Sequence, residues 1–407
     1  MGPTATQMQP LPPPPLAFEL TADQREILDA ADRYARSELY PLAPRMDEQE
    51  WWPAEAFARL GPAGYLGVAI PQSYGGAGLD LFSVGLVAQA MSRWNHAFAL
   101  SWLAHDNLCT FNLFRHANEA QRRRFLPGLC SGKLLGALAL TEPGAGSDAL
   151  GSMRVSARRE GDHYLLNGSK LFITNGPVAD VVLTYAKTAP ELAERGVSAF
   201  IVERDCPGFK VAQKLTKMGF RGSQTGELVF DNCRVPVENR LGAENAGLAV
   251  VMTGLDLERA TIAPICLGVA ERALQLSIEY AKTRKQFGRP IAEFEMIQAK
   301  IADMYVWVET MRCFIYRVLA ATDGIGADRG GRGEIHALSA ASVMYAAETM
   351  ARVVADALQI HGGIGYIWES EVNRLYRAIK MLEIGAGTTE VRKLIISREL
   401  LGASPSQ

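Results

Sequence analysis

Gly254-Leu-Asp-Leu-Glu-Arg259 sits inside a long helical pattern running from about residue 247 to 282, and it sets a carboxylate, Glu258, into an otherwise apolar face. Counting helical neighbours from Glu258 gives Leu255 at i−3, Ile262 at i+4 and Ile265 at i+7, so the carboxylate shares its face with hydrocarbon. Desolvation there disfavours the charged form, raises the pKa toward neutrality and leaves a base able to take a weakly acidic proton. The alternative, taking this helix alone, is structural: an ion pair with Arg259, or a partly exposed Glu.

Outward from this stretch the chain divides by periodicity. After residue 246 it reads as long helices, at about 247–282, 290–322, 335–361 and 370–380, with Gly324 to Gly333 as a mobile loop between two of them. Between 136 and 246 it changes to short alternating or β-branched runs, Met153 to Ala157, His163 to Leu166, Val181 to Ala186, Ala199 to Val202 and Glu227 to Phe230, separated by Gly, Asp, Asn and Pro. From about 20 to 135 it is helical again. Thr21-Ala-Asp-Gln24 forms a capping box, Trp51-Trp52-Pro53 punctuates the chain, Pro71 to Gly78 is a Gly-rich loop, and helices resume from about Phe82. The organisation expected is a disordered Pro-rich lead over 1–17, an N-terminal helical domain over 18–135, a middle β domain over 136–246 and a C-terminal helical domain over 247–407.

Composition limits what such a chain does. With 407 residues, 48% of them hydrophobic, it can bury a large core in two or three domains, and a net charge of −2 argues against nucleic acid or an anionic membrane as the main partner. No apolar run reaches the roughly 18–20 residues of a membrane span. The six cysteines, Cys109, Cys130, Cys206, Cys233, Cys266 and Cys313, show no C-x-x-C spacing, which indicates neither a disulfide framework nor a metal site. Residues 1–17 lack the basic flank and apolar core of a signal peptide and the Arg of a transit peptide, so a cytoplasmic location is expected. His105 and His361 read as structural histidines.

Four further segments carry chemistry. Ala139-Leu-Thr-Glu-Pro-Gly-Ala-Gly-Ser-Asp148 is a loop whose free N–H groups and hydroxyls suit the polar edge of a flavin or a phosphate. Asn167-Gly-Ser-Lys-Leu-Phe-Ile-Thr-Asn-Gly176 ends a strand with an aromatic and a hydroxyl two residues apart on one face. Thr283-Arg-Lys-Gln-Phe-Gly-Arg-Pro290 is a basic and aromatic turn able to hold a nucleotide phosphate and pack against an adenine. Gln359-Ile-His-Gly-Gly-Ile-Gly-Tyr366 and Glu383-Ile-Gly-Ala-Gly-Thr-Thr-Glu390 complete the set.

In this order and spacing the segments resemble the acyl-CoA dehydrogenase family over about residues 20–402, and most closely its isovaleryl branch. The resemblance implies an α+β fold with an N-terminal helical domain, a middle β-barrel-like domain and a C-terminal four-helix bundle. Most members place the catalytic Glu in the C-terminal loop, where this chain has Ala386; the isovaleryl branch keeps Ala there and carries the Glu within Leu-Asp-Leu-Glu-Arg, as here. Glu258 is therefore the expected catalytic base. The resemblance further implies FAD held by Leu138, Leu140, Thr141, Gly146 and Ser147, with Phe172, Ile173 and Thr174 at the isoalloxazine ring. Arg284, Phe287 and Glu295 would serve the ADP half of FAD bound mainly to a neighbouring subunit, opposite Gln359, Gly362 and Gly363, with Thr388 and Glu390 closing the site. Ser147, Leu255, Asp256, Arg259, Leu382, Ala386, Gly387 and Trp102 would bound the acyl thioester. A homotetramer passing electrons from an acyl-CoA to an electron-transfer flavoprotein is implied, with no metal.

The chain departs from the branch at several positions. Phe172 stands where many relatives have Trp, Glu295 where the isovaleryl enzymes have a Gln near the pyrophosphate, Ala249 where an aromatic borders CoA, and Leu382 where a Tyr bounds the acyl pocket. The Leu382 change frees volume for a longer acyl group, a citronellyl-type ester for example, while Trp102 could shorten the same pocket. A carrier-protein thioester, a flavin oxidase of the same fold and a non-catalytic acyl-CoA-binding protein are the other readings.

Overall fold

The structure is a computed structural model and describes residues 19–322 and 333–402. The Pro-rich lead at 1–17 and, apart from Gly333, the Gly324 to Gly333 loop lie outside the described residues.

The first region holds α1 (Ala22–Tyr34), α2 (Ala43–Gln49), α3 (Ala54–Ala58), α4 (Leu81–Leu103), α5 (Asn112–His116) and α6 (Glu119–Cys130). The capping box at Thr21 forms: its N–H donates to Gln24 Oε1 at 3.0 Å and its hydroxyl accepts the Gln24 N–H at 3.2 Å. A second, at Asn118 and Gln121, starts α6. Inside α4 the backbone leaves helical geometry at Asn95, whose side chain makes good the interruption by accepting the Phe98 N–H at 3.1 Å and donating to the Leu39 carbonyl at 2.9 Å.

The middle region is an eight-stranded mixed sheet in the order β6-β7-β3-β2-β4-β5-β8, with β1 added parallel to β4. Its strands are β1 (Gly136–Ala139), β2 (Ser156–Glu160), β3 (His163–Thr174), β4 (Val181–Lys187), β5 (Val197–Glu203), β6 (Phe209–Lys214), β7 (Thr225–Pro236) and β8 (Arg240–Leu241). The run Met153 to Ala157 becomes a strand only from Ser156, because the Arg154 and Val155 N–H groups bond to the Glu142 carboxylate at 2.6 and 3.0 Å instead of to a neighbouring strand.

The last region holds α7 (Gly247–Thr283), the hairpin β9 (Lys285–Gln286) and β10 (Arg289–Pro290), α8 (Glu295–Thr322), α9 (Glu334–His361), α10 (Glu371–Ile384) and α11 (Thr389–Leu401). The helix expected from 290 starts at Glu295, since Arg289–Pro290 is taken up by the hairpin and Ile291–Glu293 forms a 3-10 turn. Helix α11 was not anticipated; Thr388 starts it by accepting the Val391 N–H at 3.3 Å. By length and composition α7 could cross a bilayer, but 72% of its most apolar window is buried inside the protein, as in a core helix.

One continuous hydrophobic core runs from α1 and α4 through α7, α8, α9 and α10. At the crossing of α4 with α7, a Cβ on Gly268 would lie 2.2 Å from both the Gln89 carbonyl oxygen and Ser92 Oγ. Gly268→Ala should therefore push the helices apart and destabilise the flavin-loaded protein by about 1–3 kcal/mol, read as a lower urea midpoint; an unchanged midpoint would mean that this crossing is not tight.

Candidate active site

The site is built on α7. Glu258 is 8% exposed, and among the described residues its carboxylate accepts no hydrogen bond. Burial pushes its pKa up from 4.5 to about 7, and the opposing pull of Arg259 and Arg392 is too weak to reverse this. Both guanidiniums are turned to other partners. Arg259 Nη1 lies 3.4 Å from Asp256 Oδ1 and its Nε donates to the Ala386 carbonyl at 3.3 Å, while Arg392 Nη1 donates to the Leu382 carbonyl at 2.9 Å and Nη2 to that of Gly385. The Glu258–Arg259 ion pair is thus not formed.

These contacts shape the loop that Arg259 and Arg392 hold. Gly385-Ala386-Gly387 joins α10 to α11, with Ala386 at φ +57° and Gly387 at φ +90°. A left-handed Ala costs roughly 1–2 kcal/mol, and Arg259 and Arg392 hold the segment in place from below. Ala386 is half-buried, and its N–H has no acceptor among the described residues.

Across from this lies the β side. Leu138 and Leu140, alternate residues at β1, are half-buried against the same apolar cluster as Leu255. The following loop is anchored by a buried ion pair: Lys170 Nζ donates to Glu142 Oε1 at 2.9 Å and to the Leu140 carbonyl at 2.8 Å, and burial lowers the Lys170 pKa to about 8 despite Glu142. Leu171 N–H closes on the Thr141 carbonyl at 2.8 Å. Gly146 and Ser147, further along, are exposed. At the end of β3 a bulge puts Phe172 at φ +61° with 63% of it exposed, and Thr174 is half-buried beside it. Asn175 fixes this corner, donating from Nδ2 to the carbonyls of Ser101 at 2.8 Å and Gly136 at 3.2 Å.

The residues expected at the ADP half of FAD lie mostly at the surface. Arg284 is exposed, and Phe287 is 93% exposed at φ +50° on the tip of the β9–β10 hairpin. Glu295, Gln359, Gly362, Gly363 and Glu390 are also exposed, and Thr388 is half-buried as the cap of α11.

Residues 21–133, 137–233 and 245–401 match, in turn, the N-terminal, middle and C-terminal domain families of acyl-CoA dehydrogenases. The mitochondrial isovaleryl-CoA dehydrogenase of Pongo abelii is 43% identical over 384 residues, 93% of this chain and 89% of that protein. The chain belongs to the acyl-CoA dehydrogenase family. Butyryl-CoA dehydrogenase from Megasphaera elsdenii superposes with a TM-score of 0.89 at 35% identity, covering 94% of this chain and 99% of that one. A structure of PigA with FAD and proline superposes with a TM-score of 0.88 at 30% identity, covering 94% and 98%.

As a member of this family the chain is an FAD-dependent oxidoreductase, and its surfaces fit the cofactor. Two large aromatic faces, Phe172 and Phe287, are left uncovered, and nothing stands within 4 Å of where a Cβ would lie on Gly144, Gly146, Gly362 or Gly363. Flat apolar faces beside open backbone suit a stacked dinucleotide.

Several expected roles need correcting. Ile173 is 3% exposed in the β core, so only its backbone is available to a ligand. Asp256, 2% exposed, accepts from His336 Nδ1 and faces Arg259 inside the helical bundle, so its carboxylate is taken up by protein partners. Trp102 and Leu382 have no accessible surface at all; Trp102 donates its indole N–H to the Tyr65 carbonyl at 2.6 Å, so both are core residues and the opposition between them over pocket length disappears. His105 is structural: its Nδ1 accepts the Gly136 N–H at 2.8 Å, and burial lowers its pKa to about 3. Glu142, Lys170, His336 and Arg392 escaped the sequence reading. Glu142 and Lys170 stand in the quoted motifs, but nothing in a sequence pairs charges 28 residues apart.

Glu258 should leave a mark on stability. Its folded pKa of about 7 lies above its unfolded value near 4.5, so the native state binds the extra proton and the resulting stabilisation is full below about 4.5 and lost as pH rises through 7. Glu258→Gln, neutral throughout, should therefore exceed wild type in stability by on the order of 2 kcal/mol at pH 8.5, with the difference shrinking toward pH 5.5. Denaturation curves that differ equally at both pH values would contradict this.

Proposed function

We propose that the protein oxidises the Cα–Cβ bond of a short branched acyl-CoA of the isovaleryl type to the trans-2-enoyl thioester, as a homotetramer passing electrons to an electron-transfer flavoprotein. The observation that carries this reading is a desolvated, unbonded Glu258 next in the chain to Arg259, which holds the loop that presents the free Ala386 N–H. The similarity to isovaleryl-CoA dehydrogenase supports the substrate class.

The thioester α C–H is a weak acid, and its removal needs both a base of matched pKa and a donor at the carbonyl oxygen. Glu258, with a pKa of about 7, takes the α proton near neutral pH, and its apolar surroundings accept the neutral acid that results. The Ala386 N–H stabilises charge growing on the thioester oxygen. Arg392 positions that peptide through the Gly385 carbonyl and Arg259 holds the next one through the Ala386 carbonyl, so both charges act on the loop without pairing to the base. FAD, when bound, supplies the acceptor for the β hydride, and Phe172, Thr174 and the Gly146–Ser147 loop are the groups that would hold its reactive ring. Leu255, packed on the same apolar cluster as the flavin-side residues Leu138 and Leu140, would bound the acyl chain.

The test is anaerobic stopped-flow reduction of the bound flavin by acyl-CoA esters of four to ten carbons, straight and branched. Wild type should be reduced fastest by isovaleryl-CoA, and Glu258→Gln should slow this at least about 10²-fold while keeping FAD. A near wild-type rate in Glu258→Gln would place the base elsewhere, and preference for a longer ester or a carrier-protein thioester would replace the substrate class. Peroxide formed without added acceptor would identify an oxidase.

A further inference from the structure

Two thiols outside the proposed active site are brought together by the middle sheet. The turn Glu203-Arg-Asp-Cys-Pro-Gly208 joins β5 to β6 and closes on itself, with Cys206 N–H on the Glu203 carbonyl and Phe209 N–H on the Cys206 carbonyl, each at 3.0 Å. It lies directly over β7: Asp231 N–H donates to the Gly208 carbonyl and Arg234 N–H to that of Pro207, both at 2.9 Å, so the two bonds bracket Cys233. Gly208, at φ +89°, is required for the approach, because a Cβ there would lie 2.8 Å from Cys233 Cα. The Cys206 side chain packs on the cluster that contains Cys233.

The two thiols are close neighbours where the turn lies over β7, but they differ in surroundings. Cys206 is half-buried at the surface and Cys233 is fully buried. The interaction between the two thiols lowers the Cys206 pKa against burial and the charges of Glu203 and Asp205, and raises that of Cys233. Cys109, Cys130 and Cys266 are buried thiols pushed up to about 12 and are poor nucleophiles.

We propose that Cys206 and Cys233 form a reversible dithiol–disulfide site oxidised by hydroperoxides, Cys206 as the attacking thiol and Cys233 as the resolving one. The Cys206 thiolate attacks one peroxide oxygen, forming an S–O bond as the O–O bond breaks and hydroxide leaves. The Cys233 sulfur then attacks the sulfenic sulfur; the S–S bond forms, the S–O bond breaks, and water departs with the Cys233 proton. The two sulfurs give up two electrons and the peroxide gains them. The disulfide ties the β5–β6 turn to β7, the ladder partner of the strand that carries Phe172 and Thr174.

The experiment uses the full-length flavin-loaded protein, reduced, freed of reductant and given a small excess of hydrogen peroxide. Thiols counted after denaturation should fall from six to four, non-reducing mass spectrometry should show the Cys206 and Cys233 peptides joined with loss of two hydrogens, and dithiothreitol should reverse both. The oxidised wild type should also unfold at a higher urea concentration than the reduced one, a shift absent in Cys206→Ser. Oxidation of exposed Cys313 with both Cys206 and Cys233 still free would overturn the proposal, as would Cys206 carried to sulfinic acid beside an unreacted Cys233.

Discussion

Removing water from Glu258 is the constraint around which the rest of the molecule is arranged. A carboxylate on a buried helical face is normally neutralised by an ion pair, and two guanidiniums stand close enough to do it. The structure occupies them elsewhere: Arg259 with Asp256 and the Ala386 carbonyl, Arg392 with the carbonyls of Leu382 and Gly385. The same bonds that keep the positive charges off Glu258 also hold the loop with its left-handed Ala386. The Glu258 environment and the loop geometry are thereby set by one pair of side chains.

That arrangement needs a rigid mount. Helix α7 is clasped against α4 at Gly268, where backbone and Ser92 approach too closely for any side chain. The β side is fixed with equal economy: the buried Lys170–Glu142 pair takes up the Leu140 carbonyl and the Arg154 and Val155 N–H groups, so one charged pair ends β1, delays β2 and presents the Gly146–Ser147 loop. Breaking such a pair by deleting one partner leaves a buried charge and typically costs about 3–5 kcal/mol. The Gly146–Ser147 loop therefore depends on a core interaction.

Local signals in the sequence carried the fold a long way. The Thr21 capping box, the 3.6-residue periodicity of α7 and the β-branched runs of β4 and β5 are short-range patterns, and each appears where its pattern lies. Helix α11 was missed because its start follows a Gly-rich loop and its charged, exposed residues show no apolar stripe. At the site, Glu258 was legible because a charge on an apolar face is visible in one helix. Contacts between distant segments were not: the His336–Asp256 bond links residues 80 apart, and the full burial of Trp102 and Leu382 depends on packing that no spacing reveals. The exposed Phe287 and its hairpin could be named from sequence, because a basic and aromatic turn is a local pattern.

The most direct measurement is infrared titration of the carboxyl carbonyl band in wild type minus Glu258→Gln, both holding FAD. Desolvation of an unpaired Glu258 predicts a single protonated-carboxyl signal titrating with a midpoint of about 7. A midpoint near the ordinary 4.5 would show that water or an arginine reaches the carboxylate, and would contradict the basis of the proposed chemistry.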